Sequence, residues 1–148
     1  MLSPLCVRPV KASDFLPIVE IERESFGPDA YDRNLFAELK RKCGGLFLVA
    51  SRGNKVLGYA TTGVRSRRAE LISIAVHSHH RGRGAAAALM DATLRRLRRR
   101  GVTRFVLMVK VTNHRAMAFY TKFDFRLQRR VPGYYEDGSD GFLYVKLL

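Results

Sequence analysis

The segment HHRGRGAAAAL, residues 79–89, places a glycine-rich turn between an apolar run, LISIAV, and a segment of helical composition. A turn of this kind at the start of a helix presents free backbone N–H groups and the positive end of the helix dipole, and both bind phosphate. Small residues let the backbone come close to the ligand. The sequence therefore predicts a phosphate site formed by Arg81, Gly82, Arg83, Gly84, Ala85 and Ala86.

Two common phosphate-binding motifs do not match this turn. A Walker A loop requires GxxxxGK[ST], but alanines follow the glycines here. A dinucleotide fingerprint requires a third glycine and an acidic residue further along the chain, where this sequence has Arg99 and Arg100. The remaining pattern is Arg81-x-x-Gly84-x-Ala86, which suits a pyrophosphate at a helix N-terminus.

A second segment, VTNHRAMAFY at residues 111–120, lies downstream of the glycine turn. Together the two segments resemble the GNAT superfamily of acyl-CoA N-acyltransferases, which carries [Q/R]-x-x-G-x-[G/A] followed by N-x-x-A-x-x-[FLY]-Y. Asp124 stands where the family usually has a glycine. The tail GYYEDGSDGFLYVKL, residues 133–147, and the loop GPDAY, residues 27–31, are similar to RimI-like and protein N-terminal acetyltransferases.

The resemblance implies acetyl-CoA as the co-substrate and assigns roles to its neighbours. Residues 74–76 (Ile74, Ala75 and Val76) should line the pantetheine arm, with strand N–H groups that polarise the thioester carbonyl. Asn113 should bond the same arm, although a plain helix cap has the same appearance. Tyr120 should protonate the leaving thiolate, because a phenol of pKa about 10 faces a thiol of pKa about 8.5. A core strand and a core aromatic residue are the structural alternatives.

The general base is the point at which this chain departs from the family. RimI-like enzymes often have a glutamate where this chain has Met108, and related enzymes have a histidine. Asp29 and Glu70 are the candidate replacements, acting directly or through a water. An α-amine of pKa about 7.7–8.0 is already roughly a quarter neutral at pH 7.4, against about one part in a thousand for a lysine. A weak base therefore favours an N-terminal acceptor.

The resemblance also predicts how the acceptor is held. Pro28 and Tyr31 in the GPDAY loop, with Tyr134 and Tyr135 in the tail, should flank the peptide entrance. Ordinary exposed tyrosines are the alternative reading. The isolated cysteines give no sign of a covalent acetyl-cysteine step and suit a reducing cytoplasm. The histidines before the glycine turn lack a cysteine or carboxylate at ligand spacing, so no metal site is expected.

Hydrophobic spacing predicts the elements that position these residues. Ser13 and Asp32 are expected to cap two early helices, a hairpin should follow at residues 46–64, and two strand–helix pairs should precede two closing strands. We expect one domain over residues 1–148 of mixed α/β or α+β class. The resemblance implies the GNAT fold, a mostly antiparallel twisted sheet of about seven strands with a splayed parallel β4/β5 pair and about four flanking helices.

The net charge of +14 predicts an anionic ligand or partner. It could favour acidic N-terminal peptides or association with the ribosome, and an N-terminus of a ribosomal protein is one possible acceptor. No apolar run reaches the length of a membrane span, and the first residues show no secretory signal, so a cytoplasmic location is expected. A small-molecule or lysine acceptor and a nucleic-acid-binding module built on Arg95–Arg100 are the alternatives, although no base-reading motif accompanies those arginines.

Overall fold

The computed structural model describes residues 3–148, except for the side chain of Asp29. The described chain forms a seven-stranded sheet in the order β1-β2-β3-β4-β5-β7-β6. The strands are β1 Leu5–Pro9, β2 Phe47–Arg52, β3 Lys55–Arg65, β4 Arg68–Val76, β5 Arg104–Lys110, β6 Arg126–Val131 and β7 Gly141–Leu147, and the helices are α1 Phe15–Phe26, α2 Arg33–Cys43, α3 Ala85–Arg99 and α4 His114–Lys122.

The sheet confirms the predicted fold class. The β1/β2, β2/β3, β5/β7 and β6/β7 pairs are antiparallel, whereas β4 and β5 are parallel. The parallel register consists of three residue pairs, from Arg68 opposite Arg104 to Glu70 opposite Val106. This short register agrees with a splayed pair of strands. The predicted hairpin is confirmed as β2 and β3.

One compact unit comprises the chain up to Gly63 together with Leu71–Arg100. Alternate residues of β2 point to opposite faces of the sheet, as the two-residue period of a strand requires. On one face Phe47 belongs to a buried cluster with Ile18 of α1 and Phe36 of α2. On the other face Leu48 packs in a cluster with Leu89 of α3. Both faces of this part of the sheet are therefore covered by helices.

The other compact unit comprises Val64–Glu70 and Gly101–Leu148. Its antiparallel β5/β7/β6 strands pack against the end of α4 through aromatic residues. The Phe125 ring lies 5.4 Å from the ring of Phe105 and 5.8 Å from that of Tyr120. These contacts fix the position of Tyr120 in this unit. The expectation that residues 1–148 form one domain stays a prediction.

The helix caps agree with the sequence at one helix and differ at the other. Asp32 caps α2 as predicted, since its carboxylate accepts the Leu35 N–H at 2.8 Å. The prediction that Ser13 caps α1 is wrong, because Ser13 lies inside a short 3-10 turn that precedes α1. Asp14 is the organising residue there, and its carboxylate accepts two hydrogen bonds from Arg8 and one from the Lys11 N–H. Within the described residues, no helix combines the length and apolar character that a membrane span needs.

Candidate active site

The glycine turn leads directly from the end of β4 into α3, as the sequence predicts. Gly82 and Gly84 have φ angles of 76° and 87°, in the left-handed region that favours glycine. The first intrahelical bond runs from the Ala88 N–H to the Gly84 carbonyl, and no side chain caps the helix. The N–H groups of residues 85–87 precede that bond, so they are free of intrahelical partners.

The space beside this turn suits a pyrophosphate. A Cβ atom added to Gly82 or Gly84 would meet no atom within 4 Å, so the volume next to both residues is open. Free N–H groups, the positive end of a helix of fifteen residues and two arginines together form an anion-binding donor set. The residues present therefore fit the diphosphate of acetyl-CoA.

Arg81 is held across the end of β4. Its Nε donates to the Val76 carbonyl at 3.2 Å and its Nη2 lies 3.5 Å from the Ser25 hydroxyl. The Glu24 carboxylate accepts the Ser78 N–H at 2.8 Å, and hydrogen bonds from Ser78 lower the pKa of Glu24. The turn is thus tied to α1 from two sides. Arg83, by contrast, is exposed.

The strand segment that precedes the turn is tightly packed. Ala75 and Val76 are each 8% exposed, and Ile74 is half-buried. A Cβ on Gly58 of β3 would lie 2.7 Å from the Ala75 carbonyl oxygen and 3.0 Å from Val76 Cγ2. Only glycine allows β3 to come this close to the predicted acetyl-binding segment. Gly58 was not predicted as a site residue. The available signal was its position as a glycine in the middle of a predicted strand.

The histidines next to the turn pack against one another. The ring of His77 lies 4.9 Å from that of His79 and 5.5 Å from that of His80. His77 Nδ1 accepts the His79 N–H at 3.2 Å, which leaves Nε2 as the protonated nitrogen of a neutral ring. Among residues 3–148 as described, no group of three or more His, Cys, Asp or Glu side chains is arranged to hold a metal ion.

Asn113 lies at the start of α4 in the other unit. Its side-chain oxygen accepts the Ala116 N–H at 3.1 Å, so it caps the helix. Capping uses only the side-chain oxygen. The side-chain amide nitrogen is a donor and remains available for a second partner. The capping and ligand-binding roles of Asn113 are therefore compatible.

Tyr120 is 8% exposed and lies in the last part of α4. Burial raises the pKa of Tyr120 well above its ordinary value, and the neighbouring Tyr135 adds to the shift. An ordinary phenol pKa predicts only a small cost for proton donation to the thiolate. Burial makes the free phenol a weaker acid than that, because the phenolate form is desolvated. The hydroxyl is consequently neutral at physiological pH and available as a hydrogen-bond donor.

Met108 occupies the position of the missing base, and the end of its side chain lies beside Gly141, as do the tyrosines of the tail. A Cβ on Gly141 would lie 2.7 Å from Met108 Cε, 3.3 Å from the Tyr135 ring and 3.4 Å from Tyr134 Cβ. The two tyrosine rings meet edge to face, with centroids 4.9 Å apart, and Tyr134 is 48% exposed. An apolar thioether and two phenols therefore come together around Gly141.

Hydrogen bonds within the tail fix the segment that carries these tyrosines. The Asp140 carboxylate accepts the Gly133 N–H at 2.9 Å and Arg130 Nε at 2.7 Å. Asp137 pairs with Lys110 Nζ at 3.1 Å, and that ammonium lies 5.1 Å from the Tyr135 ring centre. The DG and SD pairs of the predicted motif thus act as turn anchors.

The structure describes the side chain of one candidate base, Glu70, but not that of the other, Asp29. Glu70 is exposed on β4, opposite Val106. Burial raises the pKa of Tyr134, and the negative charge of Glu70 adds to the rise, so the two side chains are within electrostatic reach. The backbone of Asp29 ends the short helical turn Gly27–Asp29, but its side chain lies outside the described residues. In the same loop Pro28 is exposed and the Tyr31 ring packs edge-on against Phe36 at 6.0 Å.

One buried acidic residue, Glu22, was not predicted as a site residue. Glu22 of α1 is 1% exposed, and its Oε1 accepts a short hydrogen bond from the Tyr59 hydroxyl. Ser73 of β4 also donates to Oε1, at 3.3 Å. The signal was a carboxylate on the apolar stripe of α1, at helical spacing from Phe15 and Ile18.

Comparisons with known proteins agree with this geometry. Residues 15–125 match the model of the acetyltransferase (GNAT) family. The chain is 28% identical to an N-alpha-acetyltransferase of Saccharolobus solfataricus over 155 residues, which covers 96% of this chain and 92% of the relative. The structure of Ard1 from Thermoplasma volcanium superposes with a TM-score of 0.92 at 27% identity, over 97% of both chains.

A third comparison concerns the fold alone. The structure of Arabidopsis thaliana NAA60 in complex with acetyl-CoA has a TM-score of 0.87 at 20% identity, covering 98% of this chain and 100% of that one. The resemblance seen in the sequence motifs is confirmed by the family match and by these relatives. The chain belongs to the acetyltransferase (GNAT) family.

Proposed function

We propose that this protein transfers the acetyl group of acetyl-CoA to the α-amino group of a protein or peptide N-terminus. The assignment of acetyl-CoA as the co-substrate rests on the open, positively charged turn between β4 and α3, whose N–H groups have no intrahelical partners. The α-amine acceptor is supported by the similarity to an N-alpha-acetyltransferase and to Ard1. Met108 at the position of the usual base points the same way.

The residues of the first unit bind the co-substrate. Arg81 to Ala86 hold the pyrophosphate, with the backbone N–H groups of Ala85 and Ala86 as donors and Arg81 and Arg83 as counter-charges. Residues 74–76 lie along the pantetheine arm, and a strand N–H polarises the thioester carbonyl. As the family pattern implies, the amide nitrogen of Asn113 bonds the cofactor arm.

The transfer is a direct attack with both substrates bound. The neutral amine nitrogen forms a bond to the acetyl carbon, and the carbon–sulfur bond breaks. The amine gives up a proton to the base, and the sulfur leaves as a thiolate. Tyr120 donates a hydrogen bond, and finally a proton, to that sulfur. Because burial raises the pKa of Tyr120, the proton transfer itself is uphill, and the hydrogen bond from the neutral hydroxyl is the main contribution of Tyr120 to stabilising the leaving thiolate.

Glu70 or Asp29 takes the proton from the amine, directly or through a water. The demand on this base is small, because an α-amine has a pKa of about 7.7–8.0 and roughly a quarter of it is therefore already neutral at pH 7.4. Pro28 and Tyr31, with Tyr134 and Tyr135, contact the backbone of the acceptor. These assignments follow from the family pattern; Glu70, Pro28 and Tyr134 are exposed, and Tyr31 and Tyr135 are half-buried.

The basic surface bears on which N-termini are acetylated and on where in the cell the protein binds them. Exposed cations crowd the last turn of α3, and three more follow one another at the end of α2, Lys40, Arg41 and Lys42. We propose that this charge favours acidic N-termini and association with the ribosome in the cytoplasm, a ribosomal protein N-terminus being one such acceptor. Cations at helix C-termini also complement the helix dipole, so the ribosome proposal needs its own binding measurement.

The test is the release of CoA thiol from acetyl-CoA in steady state. The panel contains short peptides beginning with Met, Ala, Ser and acidic residues, each with a matched N-blocked peptide that carries a lysine. We expect turnover with free α-amines only, a loss of turnover in Tyr120→Phe, and a smaller decrease in one of Glu70→Gln and Asp29→Asn.

Other results would support the alternatives. Turnover with the blocked lysine peptides or with small amines would transfer the proposal to those acceptors. Binding of acetyl-CoA without turnover on any amine would remove the enzymatic proposal. Tight, salt-dependent binding of nucleic acid in place of acetyl-CoA would favour a nucleic-acid-binding module.

A further inference from the structure

Glu22 is a buried carboxylate that the proposed reaction does not use. It lies on α1, is 1% exposed, and is hydrogen-bonded to side chains of two strands of the sheet. A carboxylate in such a position is unfavourable unless hydrogen bonds replace its lost hydration. Its donors therefore define what Glu22 holds in place.

Three donors reach Glu22 from three different segments of the first unit. The Tyr59 hydroxyl donates from β3 and the Ser73 hydroxyl from β4, and these two hydroxyls are themselves 2.9 Å apart. The backbone N–H of Tyr31, in the loop between α1 and α2, is among the hydrogen-bonding groups that lower the pKa of Glu22. Burial raises the pKa of Glu22, while these three hydrogen bonds oppose the rise.

Two of these segments have roles in the proposed reaction. Ser73 immediately precedes residues 74–76, which line the acetyl-bearing arm. Tyr31 belongs to the entrance loop, defined here as residues 27–32, at which the acceptor peptide enters. The Glu22 carboxylate therefore connects the entrance loop, on the acceptor side, with β4, on the acetyl-CoA side.

Ring contacts form a second connection between the same segments. The Tyr31 ring lies 6.0 Å from Phe36, and the Phe36 ring lies 5.4 Å from Tyr59, both edge to face. Tyr59 is fully buried, so its hydroxyl has little freedom to choose another partner. The chain of contacts from Tyr31 through Phe36 and Tyr59 to Glu22 closes on the Tyr31 N–H.

We infer that Glu22 is a positioning residue that fixes the entrance loop relative to β4 and thereby sets the KM for the acceptor peptide. The inference rests on the proposed function for its kinetic consequence, but the structural coupling stands on the side-chain hydrogen bonds of Glu22 and on the ring contacts that join Tyr59 to Tyr31. The carboxylate is too deeply buried to touch either substrate. Its effect reaches the acceptor through Tyr31, whose ring is connected to Tyr59 by way of Phe36.

The test compares three variants of α1. Glu22→Met keeps the side-chain length but removes the acceptor oxygens, Glu22→Gln keeps one acceptor oxygen, and Glu20→Gln alters an exposed carboxylate of the same helix as a control. We expect Glu22→Met to raise the acceptor KM at least tenfold and to change the acetyl-CoA KM less than threefold. Glu22→Gln should stay within about threefold of wild type, as expected if one retained acceptor still holds the Tyr31 N–H. Glu20→Gln should leave both constants unchanged.

Hydrogen exchange separates this inference from the proposed function, since it needs no turnover. Amide exchange in residues 27–32 should accelerate at least tenfold in Glu22→Met, with no change in residues 78–84. Unchanged exchange in the entrance loop, or an equal rise in both Michaelis constants, would overturn the inference. If Glu22→Met does not fold, Tyr59→Phe removes one donor and keeps the ring, and it should raise the acceptor KM at least threefold; an unchanged value there would also overturn it.

Discussion

Replacing Gly84 by alanine tests the phosphate turn most sharply, because Gly101 offers a matched control. Both glycines have left-handed φ angles, 87° and 75°, and a Cβ on either would meet no atom within 4 Å. Gly84 precedes the first residue of α3, whereas Gly101 follows its end. The two substitutions therefore impose a similar backbone penalty at opposite ends of one helix.

The expected effects on stability are alike. The left-handed conformation costs a residue with a Cβ about 1–2 kcal/mol. For a chain of this length that corresponds to a fall in Tm of about 2–8 °C. Thermal unfolding of Gly84→Ala and Gly101→Ala should show similar decreases.

The effects on acetyl-CoA should differ. In Gly84→Ala the new methyl group, or a shift of the turn that avoids the strained φ, weakens a charge-assisted hydrogen bond to the pyrophosphate, which is worth about 1.5–3 kcal/mol. At about 1.4 kcal/mol per factor of ten, the KM and the Kd for acetyl-CoA should rise about 10- to 150-fold. Gly101→Ala should leave both unchanged. Equal acetyl-CoA affinities in the two variants, measured by calorimetric titration, would refute the assignment of the turn.

Substitutions at three further residues give separate tests. Tyr120→Phe should lower kcat about 10²–10⁴-fold with little change in Tm, because it removes the hydrogen-bond donor for the thiolate and keeps the ring; an unchanged kcat in stopped-flow or steady-state assays would remove Tyr120 from the mechanism. Asn113→Ala should cost about 1 kcal/mol of stability and weaken acetyl-CoA binding, whereas Asn113→Ser should keep the cap and lose only the binding; if Asn113→Ser binds as wild type does, Asn113 is only a cap. The pKa of Asp14 is lowered because, although burial opposes ionisation, hydrogen bonds from Arg8 and Lys11 outweigh it, so its contribution is present above the ordinary carboxyl pKa and lost as the pH falls through the lowered one. Asp14→Asn should cost about 1–3 kcal/mol in urea unfolding at pH 7, and the gap to wild type should narrow as the pH falls below the ordinary carboxyl pKa; a gap that is constant with pH would contradict the ion pair.

Features that depend on neighbouring residues could be predicted from the sequence. The Asp32 cap, the β2/β3 hairpin and the turn before α3 each follow from a few adjacent residues, whose backbone preferences are strong. The motif pair around Arg81 and Asn113 then indicated the family, since each motif lies at the predicted start of a helix. These features hold regardless of the rest of the chain.

Features that depend on distant contacts could not be predicted. Ser13 was expected to cap α1, but Arg8 from β1 draws Asp14 into an ion pair instead. Glu22 lay visibly on an apolar stripe, yet its donors Tyr59 and Ser73 are 37 and 51 residues away in the sequence. The raised pKa of Tyr120 likewise arises from burial that only the packed aromatic cluster produces.

The central claim, acetylation of an α-amine, is tested most directly within a single acceptor molecule. A peptide with a free N-terminus and an internal lysine is incubated with acetyl-CoA and the protein, and the acetyl group is located by fragmentation mass spectrometry. We expect the label on the α-amine and none on the lysine above the level without protein. Acetylation of the lysine, or equal labelling of both amines, would contradict the proposed function.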